Sequence, residues 1–181
     1  MAIFISGFAV PSTSLVDEKE KGTIGAILIT PATQTDVFIS KGLMGIIVSI
    51  SMGVLTLILN HAFNTQLGLL VFILFLGAIM ACCMGLILAA FLNSIEAIYT
   101  TIKMLGIILY GPGILAVFPQ IPLWVGKFFP TYYVINPIVE LTQRGGSWST
   151  INHDLVVLIA MIVALFSIVC VVANRTRQVA A

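Results

Sequence analysis

Charge is what this sequence has least of. Eight Lys and Arg and seven Asp and Glu make up 8% of the 181 residues, against 60% hydrophobic residues, and the mean hydropathy is +1.15. A water-soluble domain hydrates its surface with about 25% charged residues. So little charge excludes a soluble enzyme and a disordered tail, and it makes a bilayer the main solvent. A net charge of +1, with no basic or aromatic stripe, excludes a nucleic-acid partner. Cysteine is scarce as well. Cys82, Cys83 and Cys170 lie inside apolar runs, without the spacing of a disulfide framework or a metal site, and read as small packing residues. His61 and His153 stand far apart at the edges of apolar runs, with no ligand-type residues around them, and read as polar residues at a membrane boundary. G-x-x-x-x-G-K-[ST], H-E-x-x-H and G-x-S-x-G are all missing, so no catalytic, cofactor-binding or metal-ligating residue is assigned.

What the chain does have is apolar length. Val37 to Leu59, Leu67 to Leu92 and Leu155 to Ala173 hold no charge except Lys41, and at about 1.5 Å per residue each crosses ~30 Å of hydrocarbon. A fourth span over Ile98 to Val117 carries Lys103 in its first third and Gly111-Pro112-Gly113 near its end, which predicts a kink or break. Met1 to Val10 is apolar but reaches only about 15 Å before Pro11. With no basic region before it and no convincing cleavage site, it reads less as a signal peptide than as the last turns of a membrane helix that begins before this chain. The expected fold is therefore all-α: a polytopic membrane protein with four full spans (37–60, 67–92, 98–117 and 154–173) and, in 1–16, the end of a fifth. If Ser12 to Asp36 is cytoplasmic, six basic residues (Lys19, Lys21, Lys41, Lys103, Arg175, Arg177) fall on or near the inside and two (Lys127, Arg144) outside, which is the positive-inside sense.

Two polar regions carry information. Ser14 to Asp17 resembles a capping box opening a hydrated charged helix, and Gly22 reads as its stop. From Thr23 a short helix runs to Ile29, with Ile24, Ile27 and Leu28 on one face, before Thr30-Pro31 ends it. Thr33 and Asp36 then stand at capping-box spacing ahead of the next span. A two-turn helix is unstable alone in water and must pack on something. Its apolar stripe fits a bed of lipid headgroups and a groove on a cytoplasmic partner equally well. The second region, Gly111 to Gly146, holds five of the seven prolines and many aromatic rings. Broken external helices, roughly Ile121 to Phe129 and Thr131 to Gln143, dipping into the outer leaflet within 118–150, suit a segment too apolar for a loop and too interrupted for a span. Glu140 and Arg144 are spaced for a local ion pair. Glu96 and Lys103, seven apart on one helical face, are candidates for a pathway or helix interface, with Lys103 snorkelling to the boundary as the simpler role.

The order Glu18-Lys19-Glu20-Lys21-Gly22-Thr23, Ile27-Leu28, Thr30-Pro31 and Lys41 resembles the segment that leaves the second membrane helix of type-2 ABC transporter permeases. Phe118-Pro119, Pro122, Trp124, Pro130-Thr131-Tyr132 and Arg144-Gly145 are similar to the outer part of the same family. The resemblance implies an export permease subunit and no enzyme. It makes the helix in 17–36 a cytoplasmic coupling helix docked on a separate ATP-binding subunit, with ATP and Mg on that partner and no cofactor in this chain. Glu18, Glu20, Lys21, Gly22, Thr23, Ile24, Ile27, Leu28 and Pro31 become the partner-coupling residues. A second permease copy or a sister chain would complete the pathway in the cytoplasmic membrane. That family has six spans, so the competing reading is a non-transporting membrane anchor or assembly protein, or a degenerate permease fragment.

Overall fold

The computed structural model describes residues 2–23, 33–59, 66–117, 126–144, 146 and 148–179, and among these every regular element is a helix. In chain order they are α1 (Ala2–Glu20), α2 (Gln34–Leu59), α3 (Leu67–Phe91), α4 (Ile95–Val117), α5 (Tyr132–Gln143) and α6 (Trp148–Val179). Thr35–Leu59, Leu67–Phe91 and Trp148–Ala173 are long and apolar enough to cross a membrane. α3 is the central one: 61% of its apolar window is buried, against 22% in α2 and 17% in α6. The outward faces of α2 and α6 carry Leu43, Ile47, Leu55, Val156, Val163 and Phe166, all exposed and all suited to hydrocarbon.

Three expectations are corrected here. Pro11 does not end the first helix, which runs unbroken from Ala2 to Glu20, so Ser14 caps nothing. A proline lacks one helix N–H, a loss the bundle absorbs. Pro11 is buried with its ring over Gly45 of α2, and the hydroxyls of Ser12 and Thr13 donate back to the carbonyls of Phe8 and Ala9 at 2.7 Å each. Gly111-Pro112-Gly113 does not break α4 either; the helix continues through it to Val117, with Gly111 facing the ring of Phe129. Finally, α6 starts at Trp148 rather than near 154, so part of the expected outer segment 118–150 is its first turn. Of that outer segment, 118–125 lies outside the described residues, whereas the expected second helix is present as α5, next to a turn closed by Phe129 N–H donating to Gly126 and Tyr132 N–H to Phe129.

Small residues let α1 approach α2 and α3 closely, as membrane helices require where no hydrophobic force drives them together. A Cβ on Gly85 would lie 2.5 Å from the Phe8 carbonyl oxygen, and one on Gly7 would lie 2.7 Å from Ser49 Oγ and 2.9 Å from Ala81. Ser49, fully buried, donates to the Ile3 carbonyl at 2.6 Å. Two apolar clusters result. One joins Phe4, Leu70, Leu74, Val134, Ile151 and Leu158, the other Leu15, Val16, Phe38, Leu86, Ile98 and Val169.

Gly85→Val should drive α1 off α3, since the obstacle is backbone rather than a movable side chain, at a cost of about 1–3 kcal/mol or more. Gly68→Ala, where nothing lies within 4 Å, should be neutral or stabilising by up to ~1 kcal/mol. Thermal unfolding in detergent checks both.

Candidate functional site at the end of the first helix

The buried stripe of α1, Phe4, Phe8, Ser12 and then Leu15 and Val16, follows helical spacing and leads directly to Lys19. The last turn of α1 therefore arrives among other helix ends with its charges pointing at them. Glu18 forms an ion pair with Lys41 of α2 at 2.5 Å, with only about a fifth of each side chain exposed. Lys19 Nζ donates to the carbonyls of Ala89 at 2.6 Å, Ala90 at 3.1 Å and Leu92 at 3.4 Å, the free carbonyls where α3 ends. Glu20 Oε2 accepts from the Ile95 N–H at 3.3 Å, where α4 begins. Successive helical residues point about 100° apart, which is why 18, 19 and 20 reach three different helices.

The electrostatics agree at each contact. Lys19 sits at the negative C-terminal end of α3, and Glu20 sits at the positive N-terminal end of α4. Burial pushes the Lys19 ammonium below its ordinary pKa, while the carbonyls that accept its hydrogen bonds favour the protonated form. The second carboxylate oxygen of Glu18 is buried without a hydrogen-bond partner, so Lys41 is what offsets the desolvation of that group.

Past the hub the chain turns out of the bundle. Asp17 and Lys21 pair at 2.8 Å on the exposed side, and Gly22, at φ +68°, adopts the left-handed conformation that ends a helix and that only glycine takes without strain. Thr23 donates to the Glu18 carbonyl at 3.2 Å. Ile24, Ile27, Leu28 and Pro31, with the helix expected around them, lie outside the described residues. The chain returns through the expected capping box in full. Thr33 N–H and Oγ1 donate to Asp36 Oδ2 at 2.8 and 2.7 Å, and Asp36 N–H donates to Thr33 Oγ1 at 3.3 Å. The end of α1 and the corner at 92–94 thus meet at one end of the bundle.

Glu96 and Lys103 are both exposed on α4, with no ion pair between them. At the opposite end Glu140 pairs with Arg144 as its spacing predicts, and Asn136 of α5 donates to Asp154 of α6 at 2.8 Å. The hub residues that the sequence reading did not assign to a site are Lys19 and Lys41, the latter noted only as part of the resemblance; Lys19 could have been found. Its signal was the i, i+3/i+4 continuation of a buried stripe onto a charged residue. A second unexpected feature is a half-open apolar cavity of about 180 Å³ between α2, α3 and α6, lined by Phe38, Leu86 and Phe166 together with all three cysteines.

Residues 1–169 match the model of the family described as "Fluoroquinolones export permease protein Rv2686c-like". The chain belongs to that family. It is therefore a membrane permease of an exporter, a transporter subunit rather than an enzyme, and its apolar helices are those of a membrane protein. Comparison with curated proteins and with solved structures gave no match.

In this permease Glu18→Gln and Lys41→Met should each destabilise, because each leaves a mostly buried partner unpaired. The double variant should recover part of the loss, with a coupling of roughly 0.5–3 kcal/mol in a double-mutant cycle of detergent unfolding.

Proposed function

We propose that this export permease is the membrane-spanning subunit of an ATP-driven ABC exporter. It forms the translocation pathway with a second copy or a sister permease and couples to a separate ATP-binding subunit. The observation that supports this most is the position of Glu18-Lys19-Glu20-Lys21-Gly22-Thr23. This element closes α1 where four helix ends meet, and its glycine turn sends the chain out toward the segment that resembles a coupling helix. A partner that pulled or pushed there would act on α1 and, through the Thr33 to Asp36 cap, on α2.

In this reading the short helix expected from Thr23 to Ile29 is the coupling helix, with Ile24, Ile27 and Leu28 as its docking face. ATP and Mg are bound on the partner, and the hub end of the bundle faces the cytoplasm of a cell whose cytoplasmic membrane the chain crosses several times. α1 and α4 then join the three apolar spans inside the bilayer. The family description names fluoroquinolones, which are the substrates to try first.

The Ile27→Asp/Leu28→Asp double variant should abolish co-purification with the ATP-binding subunit and remove ATP-dependent fluoroquinolone uptake by inverted vesicles, with the permease still inserted. Unchanged co-purification together with unchanged uptake would overturn the coupling role. A wild-type chain that retains no ATP-binding subunit would favour a membrane anchor.

A further inference from the structure

Three neighbouring side chains at the end of α1 hold three different helices, and two of those contacts are to backbone. Lys19 grips the last carbonyls of α3, and Glu20 grips the first amide of α4. Between these contacts the chain turns through residues 92–94 alone, so α1 holds both sides of a short corner. Glu18 fixes the same turn of α1 to Lys41, between one and two helical turns into α2. Both contacts end on backbone, so a large displacement of the corner relative to α1 has to stretch or break them.

We propose that Glu18, Lys19 and Glu20 are positioning residues that yoke α2 and the α3–α4 corner to the end of α1, so that a displacement delivered at residues 21–33 moves all four helix ends together. This deepens the coupling reading above and rests on it. The residues touch no substrate; they act through the helices they hold. Their neighbours serve other purposes. Asp17 and Lys21 pair on the exposed side of the turn, and Glu96 is exposed in the first turn of α4.

The test uses the complete permease with its ATP-binding subunit in proteoliposomes, reading fluoroquinolone transported per ATP hydrolysed and amide hydrogen exchange over 92–97. Glu20→Ala and Lys19→Met should speed exchange over 92–97 and lower transport per ATP hydrolysed by about fivefold or more. Glu20→Gln keeps an oxygen that accepts from Ile95 N–H and should stay within about twofold of wild type in both readouts. If Lys19→Met does not accumulate, the Glu18→Lys/Lys41→Glu swap carries the test. It should restore the transport per ATP lost in either single reversal. Wild-type transport per ATP in Glu20→Ala, with exchange at the corner accelerated, overturns the yoke and leaves the coupling reading standing; so does Glu20→Gln as defective as Glu20→Ala, or a swap that restores nothing. Loss of the ATP-binding subunit from the wild-type chain overturns both.

Discussion

The contact on which the rest of this bundle depends is the Phe8 carbonyl of α1 resting where Gly85 of α3 has no side chain. Lipid offers no hydrophobic drive between helices, so close approach has to come from small residues, and Gly7, Gly45, Ser49, Gly53 and Ala81 continue it on either side. With α1 sunk this deeply between α2 and α3, its last turn comes within hydrogen-bonding distance of the end of α3. A bulkier residue at 85 would move α1 outward and draw Lys19 away from Ala89 and Ala90. The glycine contact near the middle of the bundle and the charged hub at its end are therefore parts of one arrangement.

That arrangement explains how a chain so short of charge uses what it has. Five of its fifteen charged residues fall in Asp17 to Lys21. Read from the sequence they looked like a hydrated helix end. The structure divides them by direction around the helix. Asp17 and Lys21 remain on the exposed side, where an ion pair adds little. Glu18 and Lys19 turn inward, to the Lys41 cation of α2 and the last carbonyls of α3, while Glu20, itself exposed, reaches across the rim to the first amide of α4. The Lys41 cation and the α3 carbonyls would otherwise be left without these partners in a partly buried setting.

What could be read without the structure was whatever depends on local chemistry. Three of the four expected spans, the Thr33 to Asp36 box, the Gly22 stop, α5 and the Glu140 to Arg144 pair are each set by residues within a few positions of one another, and all came through; the fourth, Ile98 to Val117, is helical within α4 but is not among the described helices long and apolar enough to cross a membrane. What could not be read depends on neighbours distant in sequence. Pro11 and Pro112 break isolated helices, but the first is buried against Gly45 and both stay within continuous helices here. Lys19 finds its partners 70 residues away. No local pattern says that a lysine beside two glutamates will cap another helix, although the apolar stripe leading to it says that it faces inward.

The hub and the apolar cavity share α2, and this relates the charged end of the permease to its hydrocarbon-facing side. Lys41 is held by α1, while the next two residues, Gly42 and Leu43, line the cavity shared with α3 and α6. Consecutive residues on a helix point in different directions, so a rotation or shift of α2 that strained the Glu18 to Lys41 pair would also alter the cavity wall. Nothing polar braces that wall apart from Thr35 and the thiols; it is Phe38, Ile39, Ile46, Leu86, Phe166 and Val169, packed by contact alone. Apolar contacts are non-directional and re-form after small slides, whereas an ion pair with about four-fifths of both side chains shielded tolerates little misalignment. The stiff constraint on α2 therefore lies on the side toward α1, and the compliant one lies on the side toward α6.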